Sequence, residues 1–160
     1  MKRLILPLPG NEALAAALAK ACDGELGGIE IRRFPDGESY VRLHGDPIGR
    51  PVDLVCTLGR PDAQFLPLVF AADAAHDLGA SQVTLITPYL AYMRQDKRFN
   101  PGEAVSAPLF ARFLEESFDW LVTADPHLHR NPELSGLYRI PVRRVAAAAI
   151  GFATMFLTRS

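Results

Sequence analysis

Three runs in this 160-residue chain are apolar almost from end to end, and each is only strand length: "VDLVCTL" (52–58), "QVTLITPY" (82–89) and "WLVTA" (120–124). Such runs suit strands buried on both faces. Segments of helical composition lie between them. "PDAQFLPLVFAADAAHDLGA" spaces Phe65, Leu66, Val69, Phe70 and Leu78 as one apolar helix face that Gly79 ends, and "SAPLFARFLEESF" reads as a helix capped by Ser106 with Pro108 in its first turn. Upstream, "RLIL" reads as a strand, and "NEALAAALAKAC" as a helix capped by Asn11 and stopped near Gly24. Strands alternating with helices predict a doubly wound α/β fold with a mostly parallel sheet. A brief "IPVRRV" comes after the last strong strand, and 90–104 is polar, basic and broken by Pro and Gly, so it reads as a loop. One segment departs from the alternation. "GIEIRRF" and "SYVRL" each alternate apolar and polar residues around Pro35-Asp36-Gly37, which predicts a β-hairpin appended to the sheet.

A chain of 160 residues, 49% hydrophobic and 22% charged, can bury a core as one domain. Seventeen basic residues against eighteen acidic ones leave a net charge of −1, so nothing chain-wide draws it to nucleic acid or to an anionic membrane. Cys22 and Cys56 have neither metal nor redox spacing, and Cys56 sits in an apolar run as a buried free thiol would, which fits a cytoplasmic setting. Pro7 and Pro9 cut the first apolar run short of a signal-peptide core, and "VAAAAIGFATMFL" near the end is too short to cross a bilayer.

In open α/β sheets ligands bind beyond the carboxyl ends of the strands, so the residues just after "VTLIT" and "WLVTA" are the first candidates for a site. After the first come Arg94, Gln95, Asp96, Lys97 and Arg98. Dispersed cations and an amide suit a polyphosphate, although a charged loop can equally be a solvated one. After the second come Asp125, His127 and His129. Their alternate spacing points both histidines the same way, as a metal pair, a shared phosphate contact or a hydrolase metal centre would need. The hairpin tip adds Phe34, Asp36 and Glu38, more chemistry than a turn requires.

Taken together and in order, "FPDGESYVR", "PYLAYMRQDKR", "VSAPLFARFLEE", "TADPHLH" and "IPV" resemble the first half of the ribose-phosphate pyrophosphokinase (phosphoribosyl-pyrophosphate synthetase) family. The resemblance implies a sheet of phosphoribosyltransferase type. It also implies magnesium-dependent transfer of diphosphate from ATP to ribose 5-phosphate, with release of AMP, in a dimer or hexamer. Residue by residue, it implies that Phe34 stacks on adenine, and that Asp36 and Glu38 bond the base edge or the sugar in a neighbouring subunit's site. Arg94 and Gln95 would touch ATP, with Arg94 near the phosphates and Asp96 next in the same motif. His127 would be a magnesium ligand or a near neighbour of the transferred group. Gly102 and Ala104 stand where many members carry Arg and Pro, so phosphate-responsive control at that position is not expected.

Residues 1–145 therefore read as the nucleotide-binding domain, and 146–160 as an apolar tail or the opening of a second domain whose ribose-phosphate loop is not found in this sequence. Two other readings belong beside this one. The first is a catalytically inactive, regulatory subunit of such a synthetase. The second is a metal-dependent phosphohydrolase built on Asp125, His127 and His129.

Overall fold

The computed structural model describes residues 1–124 and 136–145. Along these residues the elements run in the order β1 (Leu4–Pro7), α1 (Glu12–Ala21), β2 (Glu25–Leu26), β3 (Gly28–Arg33), β4 (Ser39–His44), β5 (Pro51–Val55), α2 (Pro61–Asp77), β6 (Gln82–Thr87), α3 (Ser106–Ser117), β7 (Trp120–Ala124) and β8 (Val142–Val145). Six strands form one sheet in the order β2-β1-β5-β6-β7-β8, and every pairing in it is parallel. β3 and β4 form a separate antiparallel pair, the hairpin expected from the alternation.

The apolar runs are continuous because both sheet faces are covered. Ile5, Val55, Ile86 and Val122 pack with Ala15, Leu18 and Ala19 of α1 on one face. Leu4, Leu6, Val52, Leu54, Val83, Leu85 and Leu121 pack with α2 and α3 on the other. The hairpin joins this second layer. Ile29 lies opposite Leu43 and Ile31 opposite Val41, and all four pack onto the core.

One charged residue interrupts the apolar strands of the sheet. Asp53 is fully buried, and Arg3 binds it in a fork, Nε to Oδ2 at 2.7 Å and a terminal nitrogen to Oδ1 at 2.5 Å. A buried carboxylate needs such a partner, because stripping its water costs several kcal/mol (~3–5 if the partner is removed). Beside it Arg50 donates to the carbonyls of Lys2, Asp46 and Arg3 and pairs with Glu25 at 2.9 Å.

The face expected for α2 is not the face it buries. Leu68, Ala71, Ala72 and Ala75 are buried, whereas Leu66 is 55% and Phe70 43% exposed. Large apolar residues lie on both sides of α2, so periodicity does not choose a side, and the buried side is the one carrying the small alanines. Two caps also differ. Asn11 stands at the N-cap of α1, but its side chain makes no capping bond, and α3 is preceded by Val105 with Ser106 as its first helical residue. Cys56 is buried as expected, and burial pushes its thiol up to about 12, so it stays protonated and inert. The tail 146–160 lies outside the described residues.

Candidate functional site

Sheet order reverses at β1, which has β2 on one side and β5 on the other, and in open α/β sheets that switch point marks the ligand crevice. Asn11 holds the floor there. Its Nδ2 donates to the carbonyls of Leu8 (3.1 Å) and Pro9 (3.3 Å), while its Oδ1 accepts the amide of Thr57 just beyond β5 (2.8 Å). What the sequence presents as a cap is a bracket between two strand exits.

The next exits share acceptors. The carbonyl of Tyr89, beyond β6, accepts Thr87 Oγ1 at 2.6 Å and the Leu58 amide at 3.4 Å. Tyr92 then takes φ +63°, a left-handed conformation that a bulky side chain rarely adopts. Two contacts hold it: its hydroxyl donates to Asp62, which raises the phenol's pKa, and its ring lies 4.8 Å from that of Phe110. Phe65 packs on Phe110 and Phe113 at 5.4 and 5.7 Å, and with Tyr92 these rings line an open apolar cleft of about 270 Å³. The loop that begins with Arg94 is thus anchored by its first turn.

Beyond that anchor the charged residues are sorted. Arg94 is exposed, and no hydrogen bond or ion pair ties it to another described residue. Gln95 is held at both ends. Its carbonyl accepts the Ala107 amide in the first turn of α3 at 3.1 Å, and its side-chain nitrogen donates to Lys97 O and to Glu103 Oε2, both at 3.2 Å. Asp96 comes next, half-buried. Glu103 gathers the rest: Oε2 accepts the amides of Phe99 (2.8 Å) and Asn100 (2.9 Å), and Oε1 accepts Asn100 Nδ2 (2.6 Å). These donors, the Asn100 side chain first, hold its carboxyl below the usual range.

The hairpin tip is built differently. The Gly37 amide donates to Phe34 O at 2.9 Å and the Phe34 amide to Glu38 O at 2.8 Å, around a Gly37 at φ +92° that closes the three-residue loop. One oxygen of Asp36 is occupied, accepting the Glu38 amide at 3.1 Å. Phe34 is 41% exposed but not bare, since Arg32 lies over its ring at 5.1 Å and over Tyr40 at 3.9 Å. Phe34, Asp36 and Glu38 are therefore brought together at one tip, and Arg94, Gln95 and Asp96 in one loop. Asp125, His127 and His129 lie outside the described residues. Sequence reasoning missed Arg32, Tyr92, Asn11 and Glu103. Only Arg32 left a signal, its cross-strand register with Tyr40.

Residues 4–117 match the family model for the N-terminal domain of ribose phosphate pyrophosphokinase. The chain belongs to the ribose-phosphate pyrophosphokinase family. It is 40% identical over 146 residues to the ribose-phosphate pyrophosphokinase of Methanothermobacter thermautotrophicus, covering 90% of this chain and 50% of that protein. To its counterpart in Saccharolobus solfataricus it is 41% identical over 126 residues, covering 78% of this chain and 43% of the relative. The crystal structure of phosphoribosylpyrophosphate synthetase from Mycobacterium smegmatis superimposes with a TM-score of 0.81 at 25% identity, over 95% of this chain and 52% of that one. The chain thus spans about half the length of the curated relatives it matches. Its fold is of the phosphoribosyltransferase type that such synthetases share, and the family match takes in both the hairpin tip and the Arg94 loop.

Proposed function

We propose that this chain supplies the nucleotide-binding part of a ribose-phosphate pyrophosphokinase, with residues 1–145 as that domain. The reaction moves the β,γ-diphosphoryl group of ATP to the anomeric oxygen of ribose 5-phosphate, giving phosphoribosyl pyrophosphate and AMP. The observation that carries the reading is the Arg94-Gln95-Asp96 loop, pinned at the carboxyl end of β6 with the exposed Arg94 guanidinium tied to no other described residue. Phosphoryl transfer depends on positioning and charge neutralisation more than on covalent chemistry, and an exposed guanidinium on an anchored loop is suited to both.

In this reading Arg94 binds the polyphosphate and steadies the charge that builds on it, with Gln95 and Asp96 completing the contact. Phe34 offers a face for adenine, while Glu38 and the second oxygen of Asp36 accept from the base edge or the ribose of a neighbouring subunit's nucleotide, in a dimer or hexamer. Arg32, stacked behind Phe34, stiffens that face. Magnesium bound to a nucleotide needs only one or two protein oxygens besides the phosphates. Asp96 is of the right chemistry for that, and His127 would act near the transferred group. When bound, the ion would neutralise phosphate charge. No helix among the described residues is long and apolar enough to cross a membrane, and we place the protein in the cytoplasm.

Isothermal titration with ATP and magnesium tests the binding, and ribose 5-phosphate-dependent AMP release tests the reaction. Absence of adenine nucleotide binding at millimolar concentration would sink the reading.

A further inference from the structure

Glu103 poses a problem for an anion site. It places a carboxylate in the same short loop as Arg94, Lys97 and Arg98, where by charge alone it opposes a polyphosphate. Its bonds resolve the conflict. Both oxygens are taken up by four donors from Gln95, Phe99 and Asn100, and Arg98 Nε donates to the Glu103 carbonyl at 2.7 Å. The segment from 95 to 103 is closed around this one side chain.

We infer that Glu103 is a positioning residue for nucleotide binding, acting through Gln95. This rests on the function proposed above. The geometry explains how it acts. A glutamine amide can turn over, exchanging donor and acceptor. Here its nitrogen faces two acceptors, Glu103 Oε2 and Lys97 O, while the Gln95 backbone is fixed by Ala107. With the nitrogen committed, the side-chain oxygen is the end that has no partner among the described residues, an acceptor suited to an amino group or a sugar hydroxyl. The same carboxylate also accepts the Phe99 and Asn100 amides, which holds Oε2 in place against the Gln95 nitrogen.

Charge and geometry predict opposite outcomes for Glu103→Gln. Removing a negative charge beside a bound polyphosphate should tighten binding if Coulomb attraction is what matters. One amide oxygen cannot replace two carboxylate oxygens serving four donors, so loss of positioning should weaken it. The experiment titrates ATP with magnesium into the wild type, Glu103→Gln, Gln95→Ala and the double variant, with melting temperature and the Gln95 side-chain NH₂ resonances recorded for each chain that retains Gln95. We expect Glu103→Gln to bind about tenfold more weakly, to shift the Gln95 resonances and to melt as the wild type does. In the Gln95→Ala background the same change should cost little more, because the two act as a unit. Wild-type binding with equal or tighter binding by Glu103→Gln, or full additivity in the double variant, overturns the role of Glu103 and leaves the nucleotide site standing. A wild type that binds no nucleotide overturns the site and the positioning role with it.

Discussion

The hairpin tip and the loop after β6 both present polar side chains to the same proposed ligand, yet they hold their shapes by opposite means. The hydrogen bonds that shape the tip close within residues 33–38, around a turn that Pro35, Asp36 and Gly37 dictate locally. The loop is tied at a distance: Tyr92 to Asp62 thirty residues earlier, and Gln95 to Glu103 and to α3. The tip is thus a module on a ribbon, whereas the loop is continuous with the body of the domain. A change in the body should therefore disturb the loop first.

The largest test is Phe110→Ala. Phe110 is 5% exposed and supports both Tyr92 and Phe65, so its loss should cost about 3–5 kcal/mol in urea unfolding. Amide exchange should quicken in 92–103 while the β3–β4 pairing persists; equal loosening of both regions would erase the contrast. Gly37→Ala reverses the target. At φ +92° a Cβ meets no atom within 4 Å, so the cost is conformational, about 1–2 kcal/mol, and confined to the hairpin amides. Phe34→Ala should change unfolding stability by less than about 0.5 kcal/mol. It should nevertheless weaken ATP binding about tenfold if the ring stacks on the base. Unchanged affinity would return the tip to an ordinary turn.

Acid offers the gentlest separation. Glu103 is held below the ordinary carboxyl value of 4.5, so its ordering effect is complete above that value and is lost as the pH falls through the depressed one. In an NMR titration the Phe99 and Asn100 amides should move only below pH ~4.5, whereas the Gly37 amide, bonded to a carbonyl, should stay put. Loop amides that shift together above the ordinary carboxyl range would remove Glu103 from the centre of the loop.

The same contrast separates what could be read in advance from what could not. The hairpin and the mostly parallel sheet stem from alternation, turn chemistry and apolar runs, which are properties of adjacent residues. The loop could be located by its composition, and Arg94, Gln95 and Asp96 by resemblance, but its shape rests on one carboxylate that "NPGEA" does not advertise. Asn11 misled because a helix N-cap and a bracket between strands ask for the same side chain at the same position. α2 misled because apolar residues on both sides give periodicity no preferred phase, and the side was chosen by the small size of Ala71, Ala72 and Ala75.

The bracket formed by Asn11 has a further consequence. At the amino end the sheet is fastened with ionic pairs, Arg3 to Asp53 and Arg50 to Glu25, whereas at the carboxyl end the exits of β1 and β5 are joined by a neutral amide. A neutral fastening exerts no monopole field on an arriving anion and is itself little affected by salt. Ionic strength should therefore weaken the hold on the proposed polyphosphate while the spacing of these two strands stays the same, so affinity would be tuned by the medium without retuning the crevice.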